Sequence, residues 1–199
     1  MHKILFLASH LGSGSSVLYK SLNEHPKIQG FKSKLGNVYT HPFNLLSLVN
    51  NRHKLHNSSA VYMDELLYNY LFSIKYAYNV SKFIYVIRDA EPTLNWLMEN
   101  ELFKTPLSAQ RYYLYRLRRI CEMARHTPGA VVLNYYDLKN KKGLDKIESY
   151  LNLKEPIELD AQMPDPTSLT LVPTALIREA DASFEKYWHY LKSQDLIFS

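Results

Sequence analysis

The sequence predicts an α/β protein with three α/β/α layers around a central, mainly parallel sheet. Short apolar runs of β-forming composition recur at Ile4–Ala8, Ala60–Met63, Phe83–Ile87 and Ala130–Asn134. Ile4–Ala8, Phe83–Ile87 and Val131–Leu133 are continuous rather than alternating, as suits parallel strands buried on both faces. Between the runs the apolar spacing turns helical. Strands alternating with helices imply βαβ crossovers and a parallel sheet.

The elements follow in order. The first run leads into a Gly- and Ser-rich turn, then a helix with Leu18 and Leu22 on one face. Lys27–Ser59 is polar and longer than an ordinary strand–helix connection. Loops of that length in a compact domain are usually functional or mobile. The segment at about 27–59 therefore reads as a variable acceptor or lid region of a single domain, 1–199. Leu66, Leu67, Tyr70, Leu71, Ile74 and Tyr78 predict an amphipathic helix with Asp64 as N-cap and Asn79 as its stop. Pro92 opens a helix carrying Leu94, Leu97 and Met98. Leu114, Leu117, Cys121 and Ala124 form the next stripe, and Leu144, Ile147 and Leu151 a shorter one. Lys154–Pro173 holds four of the nine prolines and reads as an extended connection. A last helix from about Thr174 to Gln194 turns Leu176, Ala180, Phe184, Trp188 and Leu191 inward.

Composition narrows the class. At 199 residues, 46% apolar and 22% charged, the chain suits one globular domain and excludes whole-chain disorder. One cysteine, Cys121, rules out an intrachain disulfide and a cysteine-cluster zinc site, and on its apolar stripe it reads as a packed thiol. No two histidines have helical ligand spacing within a credible helix, so no metal is expected. No apolar run approaches the roughly 20 residues of a membrane span. The apolar N-terminal stretch is too short for a signal peptide, so a soluble, cytoplasmic chain is expected. The net charge of +5 points to an anionic partner without naming one.

Three strand ends carry the candidate chemistry. After Ile4–Ala8 comes Ser9-His10-Leu11-Gly12-Ser13-Gly14-Ser15-Ser16 and then a helix. Backbone N–H groups at such a helix start point at an anion, glycines admit close approach, and hydroxyls add donors. A Walker A loop would need lysine at Ser15 and glycine at Ser9, which disfavours an ordinary ATPase. A tight turn with a serine cap is the plain alternative. At the second strand end, Phe83–Ile87 runs into Arg88-Asp89. Ligands of open parallel sheets bind at the carboxyl ends of strands, and arginine offers a fork of donors suited to phosphate. An Arg88 that only pins its turn is the alternative. The third end is Asn134-Tyr135-Tyr136-Asp137-Leu138.

In this order and spacing the three segments resemble the sulfotransferase family. Leu11-Gly12-Ser13-Gly14-Ser15-Ser16 followed by His25-Pro26 matches the family's phosphosulfate loop and helix. Phe83–Ile87 with Arg88-Asp89 matches its second motif. Tyr135-Tyr136-Asp137-Leu138 followed by Tyr150-Leu151-Asn152-Leu153 matches its third. The resemblance spans roughly residues 3 to 153. It implies a P-loop-like fold and transfer of a sulfuryl group from 3′-phosphoadenosine 5′-phosphosulfate (PAPS) to a hydroxyl or amine, leaving 3′,5′-adenosine bisphosphate, without a metal. It assigns Gly12, Ser13, Gly14, Ser15 and Ser16 to the 5′-phosphosulfate and Arg88 to the 3′-phosphate.

The chain departs from that pattern near Lys32, where some subfamilies place a glutamate base shortly after His-Pro, and at two further places. Gly12 stands where the family has a basic residue, and Trp96 where it has a serine. Thr93 or Asn95 are the substitutes for that serine. His10, Lys20 and Lys32 are candidates for the missing positive charge. His10, His41, His53 and His56 are candidates for the base, with Asp64 and Glu65 behind them; His10, Lys32 and His41 stand as the catalytic set. Arg111, Arg116, Arg118, Arg119 and Arg125, interleaved with tyrosines, read chiefly as a solvated helix face, with one or two able to reach the nucleotide. The acceptor is expected to be a small molecule or carbohydrate, and no nucleic-acid partner is expected. A non-catalytic relic that binds an adenine nucleotide is the alternative, ahead of a P-loop nucleotide kinase.

Overall fold

The computed structural model describes residues 4–30, 59–63, 81–159 and 170–193. In chain order the elements are β1 (Ile4–Ser9), α1 (Ser15–Glu24), β2 (Ile28–Gly30), β3 (Ser59–Met63), β4 (Ser81–Ile87), α2 (Ala90–Glu99), α3 (Pro106–Arg125), β5 (Val131–Asn134), α4 (Tyr135–Lys139), α5 (Lys141–Leu151) and α6 (Thr174–Ser193). Among the described residues the strands form one five-stranded sheet in the order β2-β3-β1-β4-β5. Every pairing in it is parallel.

The continuous apolar runs are continuous because both sheet faces are covered. Phe6, Ala8, Phe83, Tyr85, Ile87 and Val132 face a core built with α2, α3 and α6. Their neighbours Leu5, Leu7, Ile84, Val86, Val131 and Leu133 face a second core built with α1, α4 and α5. Successive strand residues point to opposite faces, so each needs an apolar side chain. On the first face Phe6 stacks on Phe83 with ring centroids 5.2 Å apart. Much of each helix stripe read from sequence is buried, including Leu94 and Leu97 on α2, Leu117 and Cys121 on α3, and Ala180, Phe184 and Leu191 on α6, while Met98, Leu114, Leu151, Leu176 and Trp188 are half-buried. Burial pushes the Cys121 thiol up to about 12, as a packed, unreactive thiol requires.

The expectation of an unbroken polar connection from Lys27 is corrected at its start. Ile28–Gly30 pairs with β3 as a short edge strand. The predicted helix around Leu66–Tyr78 and its cap Asp64 lie outside the described residues, as do residues 31–58 and the middle of the 154–173 connection.

Register places the site. Ser9 is opposite Val86, and Ile87 is opposite Asn134. The carboxyl ends of β1, β4 and β5 therefore lie side by side. The chain leaves β1 toward the β2 edge and leaves β4 toward the β5 edge, so the ends of β1 and β4 flank a topological switch point.

Asn95 shows how the helical layer is tied together. It is buried on α2, and its Oδ1 accepts from the N–H groups of Leu171 (2.9 Å) and Val172 (3.2 Å), just ahead of α6. Asn95→Ala strands both donors and should lower the unfolding free energy by roughly 2–4 kcal/mol in urea titrations. An unchanged midpoint would show that water replaces the amide without loss.

Candidate anion-binding site

The loop after β1 has the backbone of an anion cradle. Gly12 and Gly14 both adopt left-handed conformations, with φ of 77° and 82°. Gly14 is the N-cap of α1 and, lacking a side chain, makes no cap hydrogen bond itself. The N–H groups of Gly12, Gly14 and Ser16 have no backbone partner among the described residues. They are donors that a helix start leaves open for an anion. The serines divide the work. Ser13 and Ser15 are buried, with Ser13 Oγ accepting from the Ser15 N–H and Ser15 Oγ accepting from the Ser9 hydroxyl at 2.6 Å. They brace the loop from inside. Ser16 is exposed and leaves its hydroxyl on the outer side.

Arg88, the first residue after β4, is only 2% exposed. Its Nη1 donates to the Gly12 carbonyl at 3.0 Å. Its guanidinium lies over the Tyr135 ring at 4.0 Å. Its backbone N–H donates to His10 Nε2 at 2.9 Å, and its carbonyl accepts from the Tyr113 hydroxyl at 2.9 Å. Burial pushes its pKa below the usual arginine value, but the nearby Tyr135, Tyr136 and Asp89 act against that. Its Nε is buried and has no hydrogen-bond partner among the described residues. A buried, charged donor without an acceptor is the group that a bound anion would satisfy.

The third motif supports this arginine. Asn134 caps α4 in a reciprocal box with Asp137, which fixes Tyr135 at the first helical position. Tyr135 is the ring beneath Arg88. Asn134 Nδ2 also donates to Asp89 Oδ1 at 3.4 Å.

Three expectations are corrected. His10 is neither a cation nor a free base. Its Nε2 accepts from Arg88, so the proton sits on Nδ1 and is donated to the Leu11 carbonyl at 2.9 Å. Burial first, then the charges of Arg116 and Arg88, lower its pKa to about 4. Thr93 and Asn95 are fully or nearly fully buried and already engaged: the Thr93 hydroxyl donates to the Asp89 carbonyl at 2.7 Å, and Asn95 holds the 171–172 segment. Both lie buried on α2, which starts at Ala90. Arg116 is not on the solvated face. It is 1% exposed, and its Nη2 donates to the Ser9 carbonyl at the end of β1. Arg111, Arg118 and Arg125 are exposed as expected, and Arg118 and Arg119 pair with Glu122.

Sequence reasoning missed Tyr113, whose hydroxyl holds Arg88, and Tyr112, whose hydroxyl accepts from the Leu11 N–H at 3.0 Å. Their i, i+1 placement beside arginines looked like surface. Lys32, His41, His53, His56, Asp64 and Glu65 lie outside the described residues. No group of three or more potential metal-ligating residues occurs among the described residues. No described helix is long and apolar enough to cross a membrane.

Comparison with solved structures places this architecture. A sulfotransferase domain from the curacin biosynthetic pathway superposes with a TM-score of 0.61 at 14% identity, covering 96% of this chain and 98% of that one. The sulfotransferase domain of a Synechococcus PCC 7002 olefin synthase gives 0.56 at 15% identity, over 94% and 89%. A mouse sulfotransferase complexed with PAP gives 0.56 at 13% identity, over 97% and 86%. The chain has the sulfotransferase fold, α/β with a P-loop-like strand–loop–helix at its centre. No family model matches it, and no curated protein does.

The His10 environment has a pH signature. Its folded pKa of about 4 lies below the ordinary histidine value of 6.5, so between those values the unfolded chain binds more protons. Stability must then fall as pH drops through that window, by up to roughly 3 kcal/mol from this group. Asp89, raised mainly by burial, acts in the opposite sense and is present in any His10 variant. His10→Gln should flatten the decline in melting temperature between pH 6.5 and 4. An identical slope in both proteins would mean that His10 is solvated or charged in the fold.

Proposed function

We propose that the protein is a sulfotransferase that uses PAPS as donor and a hydroxyl or amine of a small molecule or carbohydrate as acceptor. One observation carries the reading. A loop with two left-handed glycines, whose Gly12, Gly14 and Ser16 N–H groups have no backbone partner among the described residues, lies beside a buried arginine whose Nε lacks an acceptor among them. When bound, PAPS supplies a sulfuryl group already attached to a phosphate leaving group. The N–H groups of Gly12, Gly14 and Ser16, with the Ser16 hydroxyl, would hold its 5′ anion. Preorganised backbone donors of this kind also favour the charge that builds on a leaving phosphate. Arg88 would hold the 3′-phosphate through Nε, with Tyr135 fixing the plane of its fork. Neutral His10 holds the Arg88 backbone in place and takes no proton itself. The charge near the bridging oxygen and the acceptor's base are assigned to Lys32 and His41, in the 27–59 segment where the acceptor would bind.

A second reading is supported by the same loop. Gly12 brings no cation, and His10, the one described histidine beside the loop, has both ring nitrogens engaged. A protein that binds the adenine nucleotide without transferring sulfate fits both facts.

Thermal melting tests nucleotide binding first. At 100 times its Kd, 3′,5′-adenosine bisphosphate should add about 2.7 kcal/mol and raise the midpoint by roughly 5–10 °C, more than ATP at the same concentration. No shift at millimolar bisphosphate would sink both readings. Arg88→Met, which keeps bulk and removes charge, should erase the preference for bisphosphate over adenosine 5′-monophosphate, and Arg88→Lys should keep part of it. A preference that survives Arg88→Met would make Arg88 a structural pin. Radiolabel transfer from PAPS to a pool of sugar, phenol and amine acceptors then separates the two readings. Product above the no-enzyme background supports the transferase; binding without product across the pool supports the silent binder.

A further inference from the structure

Two of the positions at which the chain departs from the sulfotransferase pattern, Gly12 and Trp96, lie against each other. Gly12 is in the loop after β1 and Trp96 is on α2. A Cβ placed on Gly12 would stand 2.9 Å from Trp96 Cε3 and 3.3 Å from Cδ2. Real Cβ atoms do not approach ring carbons that closely, so the indole fills the space in which a side chain at position 12 would begin. Gly12 is thus held by two constraints at once. Its φ of 77° is one that side-chain-bearing residues rarely adopt, and its open side is walled by Trp96. On its other side its carbonyl accepts from Arg88 Nη1. The indole, the glycine and the guanidinium make one contiguous stack across the switch point.

We propose that Trp96 is a positioning residue of the anion site: its ring holds Gly12 in the left-handed conformation that turns the Gly12 carbonyl to Arg88 and leaves the loop N–H groups open. The loop's basic side chain and the α2 serine are replaced together, by one packing contact. Trp96 is half-buried on α2 and packs against the first core as well as against the loop. It acts as a fixed template on which the loop rests. A rigid wall of this kind lowers the ordering cost of ligand binding, because the loop does not have to find its binding conformation each time. The inference rests on the anion-binding reading above, and the experiment separates the two.

The chain has two tryptophans, Trp96 and Trp188. Trp188 stacks on Phe184 within α6. Trp188→Phe therefore leaves Trp96 as the sole tryptophan reporter. In this protein, 3′,5′-adenosine bisphosphate should raise the melting temperature while the Trp96 emission maximum stays in place, as a fixed wall requires. A melting shift with a red shift of Trp96 emission, the sign of an indole moving into water, would overturn the role of Trp96 and leave nucleotide binding intact. Absence of a melting shift would overturn the binding reading and this inference with it. Trp96→Ala should weaken bisphosphate binding by about tenfold, the scale of losing a group that orients a ligand-holding one, and Trp96→Phe should restore most of it. Equal affinity in wild type and Trp96→Ala would contradict the proposal. A stability cycle gives a readout that does not depend on ligand. Gly12→Ala should lower the melting temperature less in a Trp96→Ala background than in the parent. The same loss in both backgrounds would show that the indole does not wall the loop.

Discussion

A guanidinium shut away from water has to be held by oriented dipoles, or it opens the structure around it. The ends of β1, β4 and β5 are organised around that requirement at Arg88. The Gly12 carbonyl takes one N–H, the Tyr135 ring offers its face, and His10 and Tyr113 hold the residue's own backbone. These partners come from separate elements: the β1 loop, the start of α4 and the middle of α3. The parallel register that brings Ser9, Ile87 and Asn134 to one edge of the sheet is what lets them meet. His10 remains neutral because it is buried next to Arg116 and Arg88, and a proton there would add a third charge to a closed space. The three motifs that resemble a known family are, physically, three strand ends converging on one buried charge.

Much of the fold was legible because the sheet is buried on both faces. A short, continuous apolar run flanked by turn residues suits a strand covered on both sides, and such runs marked β1, β4 and β5 to within a residue or two of their ends. β2 was not legible. Three residues, Ile28–Gly30, are too few to show a period, and edge pairing asks little of their side chains. The loop was legible for a local reason. Glycines at 12 and 14 after a strand and before a helix imply left-handed turns, and both have positive φ.

What the sequence hid depends on contacts between distant residues. From sequence, Thr93 and Asn95 are the substitutes for the family serine whose place Trp96 takes. Both are buried on a helix that starts at Ala90, where the Thr93 hydroxyl and the Asn95 carbonyl oxygen already have backbone partners. Arg116 and Tyr113 lie on a helix whose many arginines suggest a wet face, and only docking of α3 across β1 and β4 shows which of them turn inward. The contact between Gly12 and Trp96 joins two residues far apart in the chain and has no local signature. Net charge was equally uninformative: Arg111, Arg118 and Arg125 add to the +5 from exposed positions, while the arginines at the strand ends are buried.

Everything proposed for function requires the β1 loop and Arg88 to act together as one anion site. Backbone and arginine side-chain N–H resonances, followed by NMR during titration with 3′,5′-adenosine bisphosphate, decide whether they do. The largest shifts are expected on the amides of Gly12, Gly14 and Ser16 and on the Arg88 Nε–H, all with one saturation curve. Shifts centred instead on Arg118, Arg125 and Lys186, which line the groove between α3 and α6, with the loop amides unmoved, would contradict a shared site.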